Sequence, residues 1–169
     1  TPGSNIFPYI KKNLDDIITV EDDELIVAFL DMVENHKMIV ENSGLLTVAA
    51  LKHLGVKDKR VVSILSGGNM DVITMSSVVQ QGLIFRDRIF TVSVLLPDKP
   101  GELAKVSQTL ADVQGNVIKL EHNQFVTTNR SAAVELRITL ECFGTEHKEQ
   151  IIAALEKKGY KPRIVRTMI

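Results

Sequence analysis

The stretch "IFTVSVLLPDKPGELAKVSQTLADVQG", residues 89–115, decides the fold of the second half of the chain. Residues 89–97 alternate between apolar and polar side chains, which is the period of a strand that buries one face. Residues 100–115 carry apolar side chains at the spacing of an amphipathic helix, and Gly115 suits the end of that helix. The stretch therefore predicts a strand that turns directly into a helix.

The segments that follow complete a βαββαβ order. Residues 132–142, "AAVELRITLEC", alternate most cleanly between apolar and polar side chains and predict another strand. The other predicted elements are a strand at 116–125, a helix at 145–159 and a strand at 161–168. This order is the ferredoxin-like arrangement, so the fold class predicted for residues 89–169 is α+β.

The first part of the chain, residues 1–82, has the pattern of an α/β domain. Apolar, β-branched runs at 16–20 and 60–65 predict buried strands, and a weaker run at 38–40 predicts a third. Helical spacing of apolar residues predicts helices at 21–36, 44–55 and 70–82. Because so few strands cannot bury a sheet, we expect this part to belong to a larger α/β domain. The predicted link to the second half is residues 83–88.

The composition argues against several classes of function. Lys and Arg number 20 against 21 Asp and Glu in 169 residues, which gives no electrostatic reason to expect nucleic acid or an anionic membrane as a partner. No apolar run reaches the length of a membrane span. The single cysteine, Cys142, excludes an intramolecular disulfide and favours a cytoplasmic location. The chain opens at Thr1, so a processed product or a piece of a longer protein is expected.

Two common uses of a ferredoxin-like sheet find little support in the sequence. RNA binding would need aromatic side chains on the exposed face of the third strand. The side chains predicted on that face are Glu135, Arg137, Thr139 and Glu141. A metal site would need a cysteine pair or histidines at ligand spacing. The four histidines lack that spacing, at His36, His53, His122 and His147, so no metal ligand is predicted.

The turn from strand to helix, within "LLPDKPGELAKV", has the features of a small-molecule site. Asp98 can cap the helix and Pro100 suits its first position. Gly101 allows a ligand to approach the backbone closely. The amide groups of a first helical turn can hold a carboxylate. A plain capped helix would contain the same residues, so the turn alone does not decide between the two interpretations.

Residues 89–168 resemble the ACT domain, a sensor of small molecules named for amino-acid-regulated enzymes. The resemblance rests on "DKPGEL" at the first turn, on "GNVIKLEHNQ" leading the second strand and on the βαββαβ order. It implies that two copies pair and that an amino acid binds between the first turn of one copy and the second strand of the other. The effector-binding residues that it implies are Asp98, Pro100, Gly101, Glu102, Leu103, Asn116 and Val117.

The motif "SILSGGNMD", residues 63–71, needs a separate explanation. Ser66 stands at the carboxyl end of a predicted strand, where open α/β sheets bind their ligands. Gly67 and Gly68 permit backbone conformations that other residues resist, although such a pair also serves simply to reverse the chain. Nothing else in the sequence has the character of a catalytic partner for this serine.

Residues 1–82 resemble the C-terminal part of the catalytic domain of threonine ammonia-lyases, pyridoxal-phosphate enzymes of the tryptophan-synthase-β fold group. The resemblance rests on "TPG", "DDIITVEDDEL", "IVENSGLLTVAALKHLG" and "SILSGGNMD". It implies that the Ser66 hydroxyl hydrogen-bonds the pyridine nitrogen of the cofactor, and that Gly67 and Glu41 line the same pocket. A serine does not force that nitrogen to stay protonated, which favours loss of a β-hydroxyl over transamination.

The same resemblance defines what the chain is expected to lack. The Schiff-base lysine and the Gly-rich phosphate loop of the family have no counterpart in the sequence. We therefore assign no catalytic residue, and we expect this chain alone to bind no pyridoxal phosphate and to have no activity.

Together, the two resemblances predict the regulatory C-terminal portion of an enzyme that converts L-threonine to 2-oxobutanoate and ammonia. Its predicted partners are an amino-acid effector of the isoleucine or valine class, the remainder of the catalytic domain, and a second copy paired through the ACT region. A free-standing amino-acid-binding or dimerisation module without catalysis remains the alternative.

Overall fold

The computed structural model describes residues 3–123 and 133–167 and divides the chain into two compact units. The N-terminal unit ends at Thr74, and the C-terminal unit begins at Met75. Thr1, Pro2, Met168 and the predicted strand ends at 124–125 and at 132 lie outside the described residues.

The C-terminal unit is built on a four-stranded antiparallel sheet. Its elements are β1 (Ile89–Pro97), α5 (Glu102–Asp112), β2 (Asn116–Asn123), β3 (Ala133–Glu141), α6 (Thr145–Lys157) and β4 (Arg163–Val165). The strand order is β2-β3-β1-β4, so the two central strands are β3 and β1. This topology confirms the predicted ferredoxin-like βαββαβ fold.

The core of this unit lies between one face of the sheet and the two helices. Alternate residues of β1 and β3 meet apolar residues of α5 and α6, as the two-residue period of a strand requires. The fully or nearly fully buried core residues include Val92, Val94, Leu136, Ile138, Val106, Leu110, Ile151 and Leu155. No helix among the described residues of this unit contributes to the core on the opposite face of the sheet, and the polar side chains there differ in exposure.

Three hydroxyl side chains on that opposite face are nonetheless buried. Thr91 and Thr139 lie directly across from each other in the β1–β3 ladder, and their Oγ1 atoms are 3.0 Å apart. Ser93 donates to Glu135 Oε1 at 2.6 Å. Thr139 lies on the predicted face of the sheet, but it is only 5% exposed, so the prediction of an exposed side chain is wrong at this position.

Helix α5 begins later than predicted. Its N-cap is Gly101, whose φ of 91° is in the left-handed region that favours glycine. The side chain of Asp98 makes no capping hydrogen bond, and Pro100 precedes the helix, so both predicted capping roles are wrong. The helix ends at Asp112, and the left-handed residue beyond it is Gln114.

Gly115 follows α5 for a reason that the sequence pattern did not show. Its φ is not in the left-handed region, but a Cβ on it would lie 3.3 Å from Ile151 Cδ1 on α6. Glycine at this position allows the chain to leave α5 close beneath α6.

A buried histidine, His147, links the end of α5 to the start of α6. Phe143 N–H donates to His147 Nδ1 at 3.1 Å, so the proton of the neutral ring is on Nε2. That Nε2 lies 2.6 Å from Val113 O, to which it donates. His147 therefore holds the start of α6 against the end of α5.

The N-terminal unit is helical wherever the structure assigns regular elements to it. They are α1 (Phe7–Asn13), α2 (Asp22–Asp31), a π-helical turn (Met32–His36), 3₁₀ turns (Asn42–Leu45 and Ala50–His53), α3 (Leu46–Ala49) and the start of α4 (Val72–Phe85). Glu21 and Glu24 form a reciprocal capping box at the start of α2. Phe29, Leu30 and Leu45 are among its most buried side chains.

The strands predicted at 16–20, 38–40 and 60–65 are wrong, because residues 3–88 contain no strand. A strand requires a neighbour to satisfy its backbone, and none of these runs pairs with another within that range. Their side chains show the consequence, since Ile17 and Ile64 are each 73% exposed and Val62 is 88% exposed.

Helix α4 continues beyond its predicted end at Gly82. It runs to Phe85, and Gly82 is buried within it. The predicted link at 83–88 therefore includes the last turn of this helix. Among the residues that the structure describes, no helix is long and apolar enough to cross a membrane.

Candidate functional site

The turn after β1 leaves the start of α5 open. Asp98, Pro100 and Gly101 are exposed, and no described side chain caps the helix. Glu102 N–H donates to Lys99 O at 3.3 Å, whereas the N–H groups of Leu103 and Ala104 have no partner among the described residues and can bind an anionic group here. A Cβ on Gly101 would contact no atom within 4 Å, so there is room for a side chain at this position. The positive φ of the backbone is therefore the reason that glycine is favoured here.

Glu102 and Leu103 begin α5 with different roles. Glu102 Oε1 accepts a hydrogen bond from Lys105 Nζ at 2.7 Å, and this pairing raises the pKa of Lys105. Leu103 was predicted on the apolar stripe of the helix, but it is 42% exposed. Its side chain therefore provides an apolar contact next to the open helix end.

Asn116 and Val117 begin β2, an edge strand. Asn116 Nδ2 donates to Glu141 Oε2 at 3.0 Å, which leaves its amide oxygen as an exposed acceptor. Val117 is 38% exposed. Two further apolar residues, Ile118 and Leu120, are exposed on the same strand, and sequence analysis missed them because an alternating pattern does not show which strands lie at an edge.

The predicted effector residues form two groups at opposite ends of the sheet. Asn116 pairs with Glu141, which pairs with Ile89 at the start of β1. The turn at 98–103 follows Pro97, at the other end of β1. At about 3.4 Å per residue, these ends are about 27 Å apart, so one copy does not bring the two groups together.

The family model of the ACT domain matches residues 90–159. Residues 90–159 are an ACT domain. The match covers β1 through α6, the part of the chain that the structure folds into the sheet with its two helices. ACT domains are regulatory modules that bind amino-acid effectors and often dimerise.

The similarity to known proteins extends beyond the ACT domain over nearly the whole chain. L-threonine ammonia-lyase of Geobacter sulfurreducens is 35% identical over 161 residues, which are 94% of this chain and 40% of that protein. L-threonine ammonia-lyase of Thermotoga maritima is 32% identical over 97% of this chain and 41% of its own length. L-threonine dehydratase biosynthetic IlvA of Pasteurella multocida is 29% identical over 94% of this chain and 30% of its own length. The chain thus spans between 30% and 41% of the length of these relatives.

The second group of predicted residues, in the N-terminal unit, does come together. Glu41 N–H donates to Gly67 O at 3.3 Å, and Ser43 Oγ donates to Glu41 Oε1 at 2.8 Å. Gly67 has a φ of 76°, and a Cβ on it would overlap the Glu41 carboxylate. The segments "VENSG" and "SGGN" are therefore packed directly against each other.

These residues fit one side of a pyridoxal phosphate site. The Ser66 side chain is exposed next to Gly67, and its hydroxyl makes no hydrogen bond to the described residues. A free hydroxyl is the donor that a pyridine nitrogen needs, and the close contact of Glu41 with Gly67 fixes the backbone that carries it. The donor set is thus compatible with the cofactor ring.

Proposed function

We propose that this chain is the regulatory C-terminal portion of a pyridoxal-phosphate-dependent L-threonine ammonia-lyase, whose ACT domain binds an amino-acid effector. The observation that carries the proposal is the open start of α5 beside the exposed Leu103. Free amide groups suit the carboxylate of an amino acid, and an apolar side chain next to them suits an aliphatic side chain. Isoleucine and valine are the effectors that this chemistry favours.

The effector site is proposed to form between two copies of the chain. β2 runs in the same direction as β1, because both strands are antiparallel to β3. Suppose that the edge strand β2 pairs antiparallel with β2 of a second copy. Asn116 of the first copy then lies at the end of the second copy's sheet where the second copy's 98–103 turn is. The amide of Asn116 can then bind the head group of an effector held by that turn.

The N-terminal unit is proposed to form one side of the catalytic pocket. Ser66 would hydrogen-bond the ring nitrogen of pyridoxal phosphate, while Glu41 and Gly67 fix the position of Ser66. The cofactor, when bound, supplies the electron sink for loss of the substrate hydroxyl. The exposed Val62 and Ile64 favour a further part of an α/β domain as a partner, because they have the character of buried strand residues.

The parent reaction proposed is the conversion of L-threonine to 2-oxobutanoate and ammonia. An effector would regulate it only if it binds two states of the enzyme with different affinity. We also propose a cytoplasmic location, on the basis of the single Cys142, and a boundary between catalytic and ACT regions at residues 83–88.

Calorimetry tests the effector site. The chain is titrated with isoleucine, valine, threonine and serine, and Gly101→Ala is compared with Gly159→Ala. Both glycines have φ near 90° and an open Cβ position, so both substitutions introduce the same backbone strain. We expect only Gly101→Ala to weaken binding of isoleucine or valine.

Two results of this titration would contradict the proposal. Absence of binding by all four amino acids would favour the alternative, a dimerisation module without a sensor function. Equal loss of affinity in both variants would place the site away from the 98–103 turn. The catalytic part is tested separately, by adding pyridoxal phosphate and threonine to this chain, which we expect to yield no 2-oxobutanoate.

A further inference from the structure

The face of the ACT sheet opposite the helices contains a cavity of about 140 Å³. Its floor is the row Lys119–Thr139–Thr91–Val165, in which each residue is the ladder partner of the next. Glu121, Arg137 and Arg166 also line it. The cavity is thus a polar depression within the sheet, separate from the turn at the start of α5.

The floor of the cavity provides hydrogen-bond donors. Thr91 and Thr139 are buried, and their two hydroxyls share one hydrogen bond of 3.0 Å. One hydroxyl proton satisfies that bond, so the second is available to a ligand. Arg137 Nε is also buried, and among the described residues it has no hydrogen-bond partner. It lies 3.2 Å from Glu135 Oε2 without hydrogen-bond geometry.

The charges around the cavity leave one positive charge uncompensated. Lys119 pairs with Glu121 at 2.8 Å, and Arg137 pairs with Glu135. Arg166 has no ion pair within the described part of the chain. Donors without partners and an excess of positive charge favour an anion, because each buried donor otherwise remains unsatisfied.

From these features we infer that the cavity binds a small oxyanion, either an inorganic phosphate-type ion or a short carboxylate. Its volume equals the liquid share of roughly five water molecules, which suits an anion of that size and excludes a nucleotide. Arg166 supplies the net charge, and the Arg137 guanidinium and the threonine pair supply donors for the oxygens. This site is independent of the effector site, since no residue of the 98–103 turn lines it.

The test compares two arginines that lie near the C-terminal end of the described residues. Arg166 and Arg163 are both exposed, and only Arg166 lines the cavity. Arg166→Gln and Arg163→Gln change the net charge equally, so a nonspecific electrostatic effect would be the same in both. Phosphate, sulfate and propionate are titrated into each protein at constant ionic strength, with backbone amide shifts of Thr91 and Thr139 as the readout.

We expect saturable shifts at both threonines in the unmodified chain. Arg166→Gln should weaken binding by roughly tenfold, the size of one charge-assisted hydrogen bond, and Arg163→Gln by less than about twofold. Thr139→Val should weaken it as well. Preference for phosphate and sulfate identifies an inorganic ion, and preference for propionate identifies a carboxylate.

Two outcomes would overturn the inference. One is the absence of saturable shifts at Thr91 and Thr139 with all three anions. The other is an equal loss of affinity in the two arginine variants. Neither outcome affects the effector site, because that site is measured with amino acids and with Gly101→Ala.

Discussion

At Gly44 two segments of the N-terminal unit approach too closely for any side chain. Gly44 is buried, and a Cβ on it would overlap the carbonyl oxygen of Ser66. Ser66 and Glu41 are candidate cofactor residues, so this glycine controls the distance between the two segments that carry them.

Gly44→Ala is therefore expected to separate these segments and to destabilise the N-terminal unit by about 1–3 kcal/mol, the usual cost of overpacking. Gly68→Ala is the matched control, because its Cβ would lie 3.6 Å from Ile39 O, an ordinary contact. Hydrogen exchange at Leu45 and Ala49 measures the difference. Equal exchange in both variants would contradict the close contact.

Asp87 connects the chain before β1 to helix α6. Its carboxylate accepts hydrogen bonds from Lys148 Nζ at 2.6 Å and Thr145 Oγ1 at 2.9 Å. The bond from Lys148 is the main cause that lowers the pKa of Asp87 from its ordinary value. Because the folded state has the lower pKa, the stabilisation is complete above the unfolded pKa and is lost as the pH falls through the folded one.

Asp87→Asn should consequently reduce the pH dependence of stability in the C-terminal unit. Asparagine tolerates the left-handed backbone of this position, where φ is 52°, so the charge is the main change. Between about pH 6 and pH 3, the unfolding free energy should fall more steeply in the unmodified chain than in the variant. Denaturant titrations at several pH values measure it, and parallel curves would refute the role of Asp87.

At the scale of elements, α5 has one buried face and one exposed end. Leu110 is 1% exposed within the core, whereas Leu103 on the same helix is 42% exposed. The same residue type thus packs the core at one position and remains available for contacts with a ligand or a second copy at the other.

Leu110→Ala should destabilise the C-terminal unit by about 2–5 kcal/mol, since it removes buried apolar contacts and leaves a cavity. Leu103→Ala should change the unfolding free energy by no more than about 0.5 kcal/mol. It should instead weaken effector binding. Denaturant unfolding and calorimetry on both variants separate the two effects, and a large loss of stability in Leu103→Ala would argue against its proposed role.

For the whole molecule, the edge of the ACT sheet is the surface through which we propose that two copies pair. Val117, Ile118 and Leu120 are exposed on β2, and the ladder with β3 shifts register between Val117 and Lys119. An edge strand with exposed apolar residues readily adds another strand. A second β2 would cover these side chains and complete the proposed effector site.

Ile118→Lys should therefore shift the chain toward the monomer in sedimentation velocity measurements. Leu95→Lys is the control, because Leu95 is 52% exposed, close to the 47% of Ile118, but lies on the central strand β1. Effector binding should be lost together with the dimer in Ile118→Lys alone. A dimer that persists in this variant would show that the copies pair through another surface.

Local patterns predicted most of the C-terminal unit. Alternation in β1 and β3 and the helical spacing in α5 depend on neighbours in sequence, so they are readable without a structure. The same reasoning failed at 16–20 and 60–65, because β-branched residues favour a strand only where another strand is present to pair with it. The roles of the predicted cofactor and effector residues remain predictions.

The sequence by itself determined the order of elements in the C-terminal unit, the apolar faces of β1 and β3, and the glycine turn before α5. Only the tertiary structure decided that Asn116 and the turn at 98–103 lie at opposite ends of the sheet, and that Thr91, Thr139 and Arg137 surround one cavity. The physical reason is that burial and proximity depend on contacts between residues far apart in the chain, such as Thr91 with Thr139. Those contacts carry no local signal in the sequence.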